Sequence, residues 1–556
     1  MKWTWMLGWF LFAVQLSFAA APVPQISQPL VPTTVAPGSA GFTLTVNGAN
    51  FVNGAMVQWN GSSRATTFVS SGQLTAQILA SDVATAGTAT VQVVNGTVGQ
   101  PLSNKVYFPI ALPVSSQSYA QTSTVSANGN PFVMTTADMN KDGILDLVLC
   151  RELSGKVSVF LGQGGGTFGT HNDYYVAGAC VSLVVGDFNG DHNLDVAASN
   201  EFQANVLLGN GDGTLKNPVA YDVGGQFPQT IVEGDFNRDG VLDLATANSD
   251  TNTVSVLIGK GDGTFLPHVD YSVDASAFGL ATGDFNRDGI LDLVVTNKTS
   301  NEVSILLGAG DGTFGTPAPF NGGVNPASVA VGDFNGDGKA DLVVSDLNPT
   351  SYPISVLLGN GDGTFQTRRG YPSTAMGVPQ IGDMNGDGIP DIVMANQSGP
   401  VVLLGKGDGS FQKGIFFSTQ SAAALTLADF NGDGRLDMAV GGLASGKVPI
   451  LLQTTLSLAP PTINFGQQTV GTSSMMTATL TNFGPTDINL SKIAITGGAA
   501  RDFKPSNNCS RTLTAGSSCT ITITFTPSAK GSRAANLSVT SSVPGPQVTM
   551  LSGVGI

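Results

Sequence analysis

The chain is poor in the residues on which many catalytic, metal-thiolate and nucleic-acid sites depend. Among 556 residues there are 4 Cys, 3 His and 24 Lys or Arg, against 39 Asp or Glu, which gives a formal charge of −15. Because nucleic-acid-binding proteins normally present a basic surface, this charge argues against that class. The absence of any Cys-x-x-Cys motif, together with so few histidines, argues against a structural zinc site.

Glutamate is also scarce. The only four are Glu152, Glu201, Glu233 and Glu302, so nearly all of the acidic residues are aspartates. Glutamate favours helices, whereas aspartate favours turns and the sites of hard cations. With 71 Gly and an apolar content of 41%, this composition predicts a β-rich, turn-rich protein whose length allows three or four domains.

Long apolar runs are missing after the N-terminus. Lys2 precedes an apolar run over residues 3–18, and Ser17-Phe18-Ala19 matches the small-x-small pattern of a cleavage site. Residues 1–21 are therefore predicted to be a signal peptide. A membrane anchor is the alternative, but the run is short for a span. We expect a secreted or cell-surface protein with no membrane span after signal cleavage.

One nine-residue motif, DFNGDGxxD and its variants, occurs seven times. The first aspartates of successive copies lie 46 to 50 residues apart. We call these segments acid loops 1 to 7: residues 138–146, 187–195, 235–243, 284–292, 333–341, 383–391 and 429–437.

The segments around each acid loop also repeat. An apolar run precedes each loop, two apolar runs follow it, and the first six copies then have a Gly-rich turn such as GNGDGTF. A weaker fourth stretch carries an aromatic residue: Tyr175, Tyr221, Tyr271, Phe320, Tyr371 and Phe416. Four short strands per copy predict one propeller blade. The seventh copy lacks its turn, and residues 114–125 are predicted to supply its fourth strand and close the ring.

The acid loops have the composition of a hard-cation site. Calcium takes six to eight oxygen ligands, and positions one, three, five and nine are Asp, Asn, Asp and Asp. A solvated acidic turn is the alternative for any one copy. Seven divalent ions would change the formal charge from −15 to −1. The candidate ligands are Asp138, Asn140, Asp142, Asp146, Asp187, Asn189, Asp191, Asp195, Asp235, Asn237, Asp239, Asp243, Asp284, Asn286, Asp288, Asp292, Asp333, Asn335, Asp337, Asp341, Asp383, Asn385, Asp387, Asp391, Asp429, Asn431, Asp433 and Asp437.

Loop 2 departs from the pattern. His192 stands at position six, where the other six loops have a glycine that permits the sharp turn. We therefore expect up to seven Ca²⁺ ions, with the site at Asp187–Asp195 the weakest.

The acid loops and the GDGTF turns resemble FG-GAP/VCBS repeats, which form the seven-bladed propeller of integrin α-subunits and occur in many exported bacterial proteins. The resemblance implies a seven-bladed propeller over residues 113–453. It also implies that the calcium loops lie on the lower face and that a partner binds the upper face.

The two flanks resemble immunoglobulin-like sandwiches. Residues 22–112 are similar to an IPT/TIG domain through Pro37-Gly38, the NGANF stretch, WNG at Trp59 and SNKVYF. Residues 456–556 are similar to Hydin (ASH) or choice-of-anchor domains through paired cysteines and an FTP…G pattern. The predicted fold class is all-β, with a seven-bladed β-propeller between two β-sandwiches.

The four cysteines are predicted to form two disulfides, because their number is even and the chain carries an export signal. Proximity favours Cys150–Cys180, which would join neighbouring blades, and Cys509–Cys519. Free thiols are the alternative for the first pair.

No catalytic residues are predicted, because neither a G-x-S-x-G elbow nor a P-loop lysine motif occurs. Glu152, Glu201, Glu302 and Asp346 follow predicted second strands. They are either rim carboxylates that serve a ligand or ordinary surface polarity. The repeated aromatic residues are either a sugar-stacking set or packing of the outer strand.

These features predict an exported calcium-binding propeller for adhesion or ligand recognition. Its partner would be an extracellular glycan or protein, and calcium would be mainly structural. Two alternatives remain open: a polysaccharide-active lyase or hydrolase on a propeller scaffold, and a structural component of the cell envelope.

Overall fold

The computed structural model describes residues 21–556 except 97–100, 115–118, 347–353, 373–376, 397, 418, 420–421, 443–444, 461, 485–486 and 544–546. Residues 1–20 of the predicted signal peptide lie outside the described residues. In the described residues, regular structure is β-strand apart from two short 3-10 helices, Ala80–Val83 and Ala500–Asp502, so the all-β class is confirmed. Within the described residues, no helix is long and apolar enough to cross a membrane.

The N-terminal sandwich packs two four-stranded sheets, β1-β2-β6-β5 and β4-β3-β7-β8. Alternate residues of β2 and β7 are buried, as expected of strands with one face in a core. Trp59 and Phe108 are fully buried between the sheets, with ring centroids 5.1 Å apart. The strands are β1 Gln25–Ile26, β2 Phe42–Ala49, β3 Met56–Trp59, β4 Ser62–Ser63, β5 Thr66–Ser70, β6 Gln73–Ile78, β7 Gly87–Val94 and β8 Val106–Ile110.

The described part of the repeat region forms seven antiparallel four-stranded sheets, which we number 1 to 7 by their acid loops. A single strand, β9 (Tyr119–Ser126), precedes them. Sheet 1 consists of β10 Pro131–Ala137, β11 Asp146–Arg151, β12 Lys156–Gly164 and β13 Thr167–Tyr175, and sheet 2 of β14 Ser182–Gly186, β15 Asp195–Ser199, β16 Gln203–Leu207 and β17 Val219–Asp222. Sheet 3 consists of β18 Pro228–Gly234, β19 Asp243–Asn248, β20 Thr253–Leu257 and β21 Val269–Ser272, and sheet 4 of β22 Ala277–Gly283, β23 Asp292–Asn297, β24 Glu302–Leu306 and β25 Ala318–Asn321.

Sheet 7 takes its fourth strand from the start of the region. Its order is β34-β35-β36-β9, and Val448 of β36 pairs with Val125 of β9. The prediction that a segment before the first repeat completes the last sheet is therefore confirmed. Sheet 5 consists of β26 Pro326–Gly332, β27 Asp341–Asp346, β28 Ile354–Leu357 and β29 Arg369–Tyr371, and sheet 6 of β30 Gln380–Gly382, β31 Asp391–Met394, β32 Val401–Leu403 and β33 Ile415–Phe416. Sheet 7 consists of β34 Ala424–Ala428, β35 Asp437–Gly441, β36 Lys447–Gln453 and β9.

The seven sheets pack in sequence order. The first strand of each sheet contacts the first strand of the next, and β34 of sheet 7 contacts β10 of sheet 1. Each sheet therefore has a neighbour on both faces, and every residue of second strands such as β19, β23 and β27 is buried. This explains why these strands are continuous apolar runs in the sequence instead of alternating ones.

Aromatic residues pack neighbouring sheets together. Phe265, in the Gly-rich turn of sheet 3, makes edge contacts with Phe188 of acid loop 2 and with Tyr221 of β17, at centroid distances of 6.0 and 5.2 Å. The same arrangement occurs around Phe314, Phe365 and Phe411. These contacts favour the packing interpretation of the repeated aromatic residues.

Two members of that aromatic set were assigned wrongly from the sequence. In sheet 6 the packed residue is Phe417, whose ring lies 4.8 Å from that of Tyr119, whereas Phe416 is exposed. Tyr174, not Tyr175, holds the register position in sheet 1 that Tyr221 holds in sheet 2. Tyr174 accepts a hydrogen bond at its hydroxyl from the Leu215 N–H, whereas Tyr175 is 63% exposed. A signal for both was present in the sequence, because the packed aromatic residue always lies six positions after the last residue of the Gly-rich turn, as Tyr174 does after Phe168.

The C-terminal sandwich packs the sheets β37-β39-β43-β41 and β38-β45-β44-β40-β42, with β38 parallel to β45. Phe503 and Phe525 stack between them at a centroid distance of 4.7 Å. The strands are β37 Leu456–Ala459, β38 Thr462–Gln468, β39 Ser474–Asn482, β40 Ile488–Thr496, β41 Phe503–Asn507, β42 Thr512–Leu513, β43 Ser518–Phe525, β44 Gly531–Ser541 and β45 Gln547–Gly555.

Both predicted disulfides are confirmed. Cys150–Cys180 joins the second strand of sheet 1 to the segment that enters sheet 2, and Cys509–Cys519 closes a short loop in the C-terminal sandwich.

Replacement of Val125 by Asp tests the contribution of β9 to sheet 7. Val125 is buried, so an aspartate there would place an unpaired charge in the interior and should lower the free energy of unfolding by about 2 kcal/mol or more. The control is Thr124→Asp on the exposed side of the same strand, where we expect a change within about 0.5 kcal/mol. Urea unfolding measures both. Equal effects of the two variants would show that β9 does not close the sheet.

Candidate cation-binding loops

All seven acid loops lie at the same end of their sheets. Each loop connects the first strand to the second, and the Gly-rich turns connect the third strand to the fourth. In an antiparallel sheet both connections are at one end, which we call the loop face. The connections from second to third strands, and the links to the next sheet, lie at the other end, which we call the opposite face.

Within each acid loop the side chains accept hydrogen bonds from the loop's own backbone. In loop 5, Asp333 accepts from the N–H groups of Asp337 at 3.2 Å and Gly338 at 2.8 Å. Asn335 Oδ1 accepts from the Asp337 N–H, and Asp337 Oδ1 accepts from the Lys339 N–H, both at 3.0 Å. The Asp, Asn and Gly positions therefore define the turn itself, whether or not an ion is present.

The ninth aspartate has a role that the sequence did not reveal. Asp243 is fully buried, and it accepts hydrogen bonds from the Phe236 N–H of its own loop at 2.9 Å and from the Gly259 N–H of the Gly-rich turn at 2.8 Å. It therefore ties together the two connections of one sheet. The same pair of bonds is made by the equivalent residues Asp146, Asp195, Asp292, Asp341, Asp391 and Asp437.

Burial makes ionisation of these carboxyl groups unfavourable. It raises the pKa of Asp243 and of Asp391 to about 8, with a further increase from the other aspartates of the same loop, although the N–H donors act in the opposite direction. For Asp195, Asp292 and Asp341 the same causes raise the pKa to about 7. A bound cation would favour the ionised form of all of these groups.

The donor set of the loops fits a hard divalent cation. At the predicted ligand positions each loop offers only oxygen ligands, and a carboxylate has about four lone-pair sites, more than the hydrogen bonds described above use. Among the described residues, however, no group of three or more His, Cys, Asp or Glu side chains is gathered closely enough to hold a metal ion. The carboxylates would therefore adjust to bind one, and calcium at the predicted ligand positions stays a prediction.

The N-terminal sandwich covers much of the loop face. It donates hydrogen bonds to first-position aspartates of three loops: Val23 N–H to Asp235 Oδ2 at 2.7 Å, Thr33 Oγ1 to Asp383 Oδ2 at 3.1 Å and Thr88 Oγ1 to Asp429 Oδ2 at 2.5 Å. Loop 4 receives backbone contacts, with the Asn50 N–H donating to the Gly289 carbonyl at 2.8 Å. Nothing in the sequence pattern indicated these contacts, because they join residues hundreds of positions apart.

A cavity of about 420 Å³ remains between the N-terminal sandwich and loops 4 and 5. Its wall includes Gln28 and Gln73 of the sandwich and the predicted ligands Asp284 and Asp333. Loops 4 and 5 can therefore be reached by water and small ions while the sandwich is in place.

The four candidate rim carboxylates belong to four different sheets. Glu152 and Glu201 lie in connections on the opposite face, and Glu302 is the first residue of β24. Asp346, at the end of β27, is only 2% exposed and accepts the Val324 N–H at 2.9 Å. Burial raises the pKa of Asp346 to about 6.

Replacement of His192 by Gly should relieve backbone strain in loop 2. His192 has φ +65°, in the left-handed region that the glycines at position six of the other loops also adopt. A residue with a Cβ atom is disfavoured by about 1 kcal/mol in that region, so we expect His192→Gly to stabilise the protein by about that amount and to strengthen calcium binding at loop 2. Urea unfolding with and without calcium measures both effects. The reverse change in an intact loop, Gly338→His, should destabilise, and a neutral result for both variants would contradict the argument.

Replacement of Asp346 by Asn tests the buried carboxyl group. The raised pKa means that the folded state holds its proton more tightly, so the free energy of unfolding falls as pH rises from about 4 to about 6. The amide introduced by Asp346→Asn cannot ionise, so the variant should gain stability over the wild type at pH 7 to 8, and the difference should shrink towards pH 4. Unfolding curves at these pH values measure it, and a pH-independent difference would refute the assignment.

Comparison with protein-family models matches three parts of the chain. The FG-GAP-like repeat matches residues 138–198, 187–246, 235–295, 284–344 and 383–440. The IPT/TIG domain matches residues 26–110, and the HYDIN/CFA65/VesB-like, Ig-like domain matches residues 454–552. The comparison with curated proteins finds no match.

Several solved structures are similar to parts of the chain. A lectin of Agrocybe aegerita that recognises non-reducing terminal N-acetylglucosamine is 19% identical, with 60% of this chain and 89% of that chain covered and a TM-score of 0.38. An auxiliary nutrient binding protein of Bacteroides ovatus is 12% identical over 78% of this chain and 98% of that chain, with a TM-score of 0.34. An ASH/PapD-like domain of human CEP192 is 23% identical over 18% of this chain and 86% of that chain, with a TM-score of 0.16.

At these TM-scores the structural similarities say nothing about ligands or activities, whereas the family models agree with the resemblances read from the motifs. The chain contains FG-GAP-like repeats, with an IPT/TIG domain before them and a HYDIN/CFA65/VesB-like, Ig-like domain after them.

Proposed function

We propose that this protein is an extracellular recognition protein without catalytic activity of its own. Its seven repeat sheets act as the blades of a propeller, and calcium in the acid loops stabilises that propeller. The ligand, a glycan or a protein, binds on the opposite face. The observation that carries this proposal is the different state of the two faces: the loop face is covered by the N-terminal sandwich, whereas the opposite face exposes large apolar side chains.

The exposed side chains belong to the connections of sheets 1 to 3. Leu153 is 79% exposed, Phe202 is 49% exposed and Phe227 is 44% exposed. Leu153 and Phe202 lie between second and third strands, and Phe227 lies in the link from sheet 2 to sheet 3. Exposed apolar side chains carried by adjoining loops are typical of surfaces that bind a partner.

Backbone hydrogen bonds join these connections to one another. The Val176 N–H donates to the Gly155 carbonyl at 2.9 Å, and the buried side chain of Asn200 donates to the Val176 carbonyl at 2.5 Å. Further along, the Phe227 N–H donates to the Glu201 carbonyl at 2.8 Å. The connections are therefore held in place before any ligand arrives, which lowers the entropy cost of binding.

Phe227 is in an unfavourable conformation for its residue type. Its φ is +54°, and the corresponding positions in sheets 4 and 5 carry Ser276 and Asn325, also at positive φ. Asn tolerates this region well, whereas a bulky aromatic residue there is an outlier. Because the ring is also exposed, neither the turn nor the core explains a phenylalanine at this position. Strain of this kind clusters at functional sites, which supports a role in binding.

Calcium would act on stability. Extracellular calcium modules bind with dissociation constants of about 10⁻⁴ to 10⁻³ M. At a roughly tenfold excess of free ion over the dissociation constant, each occupied loop adds about 1.4 kcal/mol to the free energy of unfolding. Several loops together would match the entire stability of an ordinary domain.

Replacement of Phe227 by Asn separates recognition from folding. The variant keeps the backbone conformation and removes the strain, so it should be more stable by about 1 kcal/mol and yet lose retention on the ligand. Retention of the purified protein on a panel of immobilised polysaccharides in millimolar calcium measures binding, and urea unfolding measures stability. Phe202→Ala should also reduce retention.

The matched control is Val219→Ala, which alters an exposed residue of the outer strand β17 and should leave retention unchanged. Retention that survives in both phenylalanine variants would move the binding site elsewhere. Release of sugar product in the same tubes would favour the enzyme alternative, and absence of retention on all glycans would contradict a glycan ligand and leave a protein partner.

A further inference from the structure

The hydrogen bonds between the N-terminal sandwich and the acid loops fall at equivalent atoms. In loops 3, 6 and 7 the donor from the sandwich reaches the Oδ2 atom of the first aspartate, and in each case the same Oδ2 atom accepts the N–H group of the loop's sixth residue. These three first aspartates are predicted calcium ligands. The sandwich thus touches the same part of the loop three times, with a backbone amide and two threonine hydroxyls.

We propose that the N-terminal sandwich orients the first carboxylate ligands of loops 3, 6 and 7, so that cation binding and docking of the sandwich strengthen each other. This inference rests on the proposed calcium binding. Each donor holds the first carboxylate in one orientation, which keeps the other oxygen, Oδ1, directed into the loop. Residues that orient a metal ligand in this way typically change metal affinity about 10- to 100-fold when they are replaced.

Loop 2 provides an internal reference for a test of the inference. It is the loop in which histidine replaces the glycine at position six, and within the described residues no hydrogen bond links it to the sandwich. Asp187 there accepts bonds from its own loop, from the N–H groups of Gly190 and His192. Among the described residues, loops 1 and 5, which keep the glycine, likewise make no hydrogen bond to the sandwich. The calcium affinity of loop 2 should therefore not depend on docking.

The coupling has to act in both directions. If docking of the sandwich raises the affinity of a loop for calcium by some factor, bound calcium raises the equilibrium constant for docking by the same factor. The Thr33 and Thr88 side chains are positioning residues in this scheme, because they contact the carboxylate and would not contact the ion.

Hydrogen exchange of the purified full chain, followed peptide by peptide during a calcium titration, tests the inference. Exchange in each acid loop gives a calcium midpoint for that loop. Thr33→Val should raise the midpoint of loop 6 by about tenfold, and Thr88→Val should do the same for loop 7, with the midpoint of loop 2 unchanged in both. Valine has nearly the shape of threonine, so these variants should fold.

The control variant is Thr43→Val, whose hydroxyl bonds to Gln77 within the sandwich and should shift no midpoint. If calcium protects the loops of the wild type but neither Thr33→Val nor Thr88→Val shifts its loop, the inference is wrong and the proposed calcium binding stands. If calcium protects none of the loops, both are wrong.

The effect of calcium on docking is measured by hydrogen exchange in the N-terminal sandwich. The Asn50 N–H donates across the interface to the Gly289 carbonyl, so its exchange reports docking. Chelation of calcium should accelerate exchange of the peptide containing Asn50, and Asp383→Asn should do so even in calcium. Asp187→Asn removes a site that docking does not use and should leave this peptide unchanged. Equal exchange of the Asn50 peptide with and without calcium would also overturn the coupling.

Discussion

A buried carboxylate holds the two connections at the loop face of every repeat sheet. The ninth aspartate of each acid loop is completely buried and accepts one N–H group from its own loop and one from the following turn. In sheet 7, where the Gly-rich turn is absent, the N–H of Gln453 takes the place of the glycine. Without this carboxylate two buried N–H groups per sheet would have no partner, and each would cost about 1 to 3 kcal/mol. The position of the turn, and of everything that packs on it, depends on this interaction.

The packing between sheets follows from that constraint. Because the turn is fixed, its phenylalanine reaches back to the preceding sheet, as Phe265 does to Phe188, and the N–H of Gly263 bonds to the Phe188 carbonyl at 3.1 Å. A ring contact of the same kind joins the last sheet to the first through Phe168 and Phe430. A sheet is thus connected to its neighbour at the loop face by hydrogen bonds as well as by apolar area. The loop face becomes a firm surface against which another domain can dock, whereas the opposite face is free to vary its loops.

The sequence predicted the strands, the closing strand and the disulfides, but it missed the contacts between domains and the role of the ninth aspartate. The spacing of the motifs, the apolar runs and the missing turn in the seventh copy were enough to predict all-β structure, sheets of four strands and the return of β9 to sheet 7. Cysteine number and proximity were enough for both disulfides. The contacts of Thr33 and Thr88 with the loops could not be predicted, because they join unrelated parts of the chain and leave no periodic signal. The role of the ninth aspartate was hidden for a different reason: a cation ligand and an acceptor of two buried N–H groups require the same residue.

These two roles of the ninth aspartate need not compete. A carboxylate that accepts one N–H group on each oxygen still has lone pairs for an ion, and burial of that carboxylate beside two other aspartates makes its charge unfavourable unless a cation is near. This unfavourable charge is the reason that the pKa of Asp243 and of Asp391 is raised to about 8. A protein that needed the aspartates only to shape turns could have used asparagine at several of these positions without the electrostatic penalty. The proposed calcium would remove that penalty in all seven loops, several of which lie beneath a second domain.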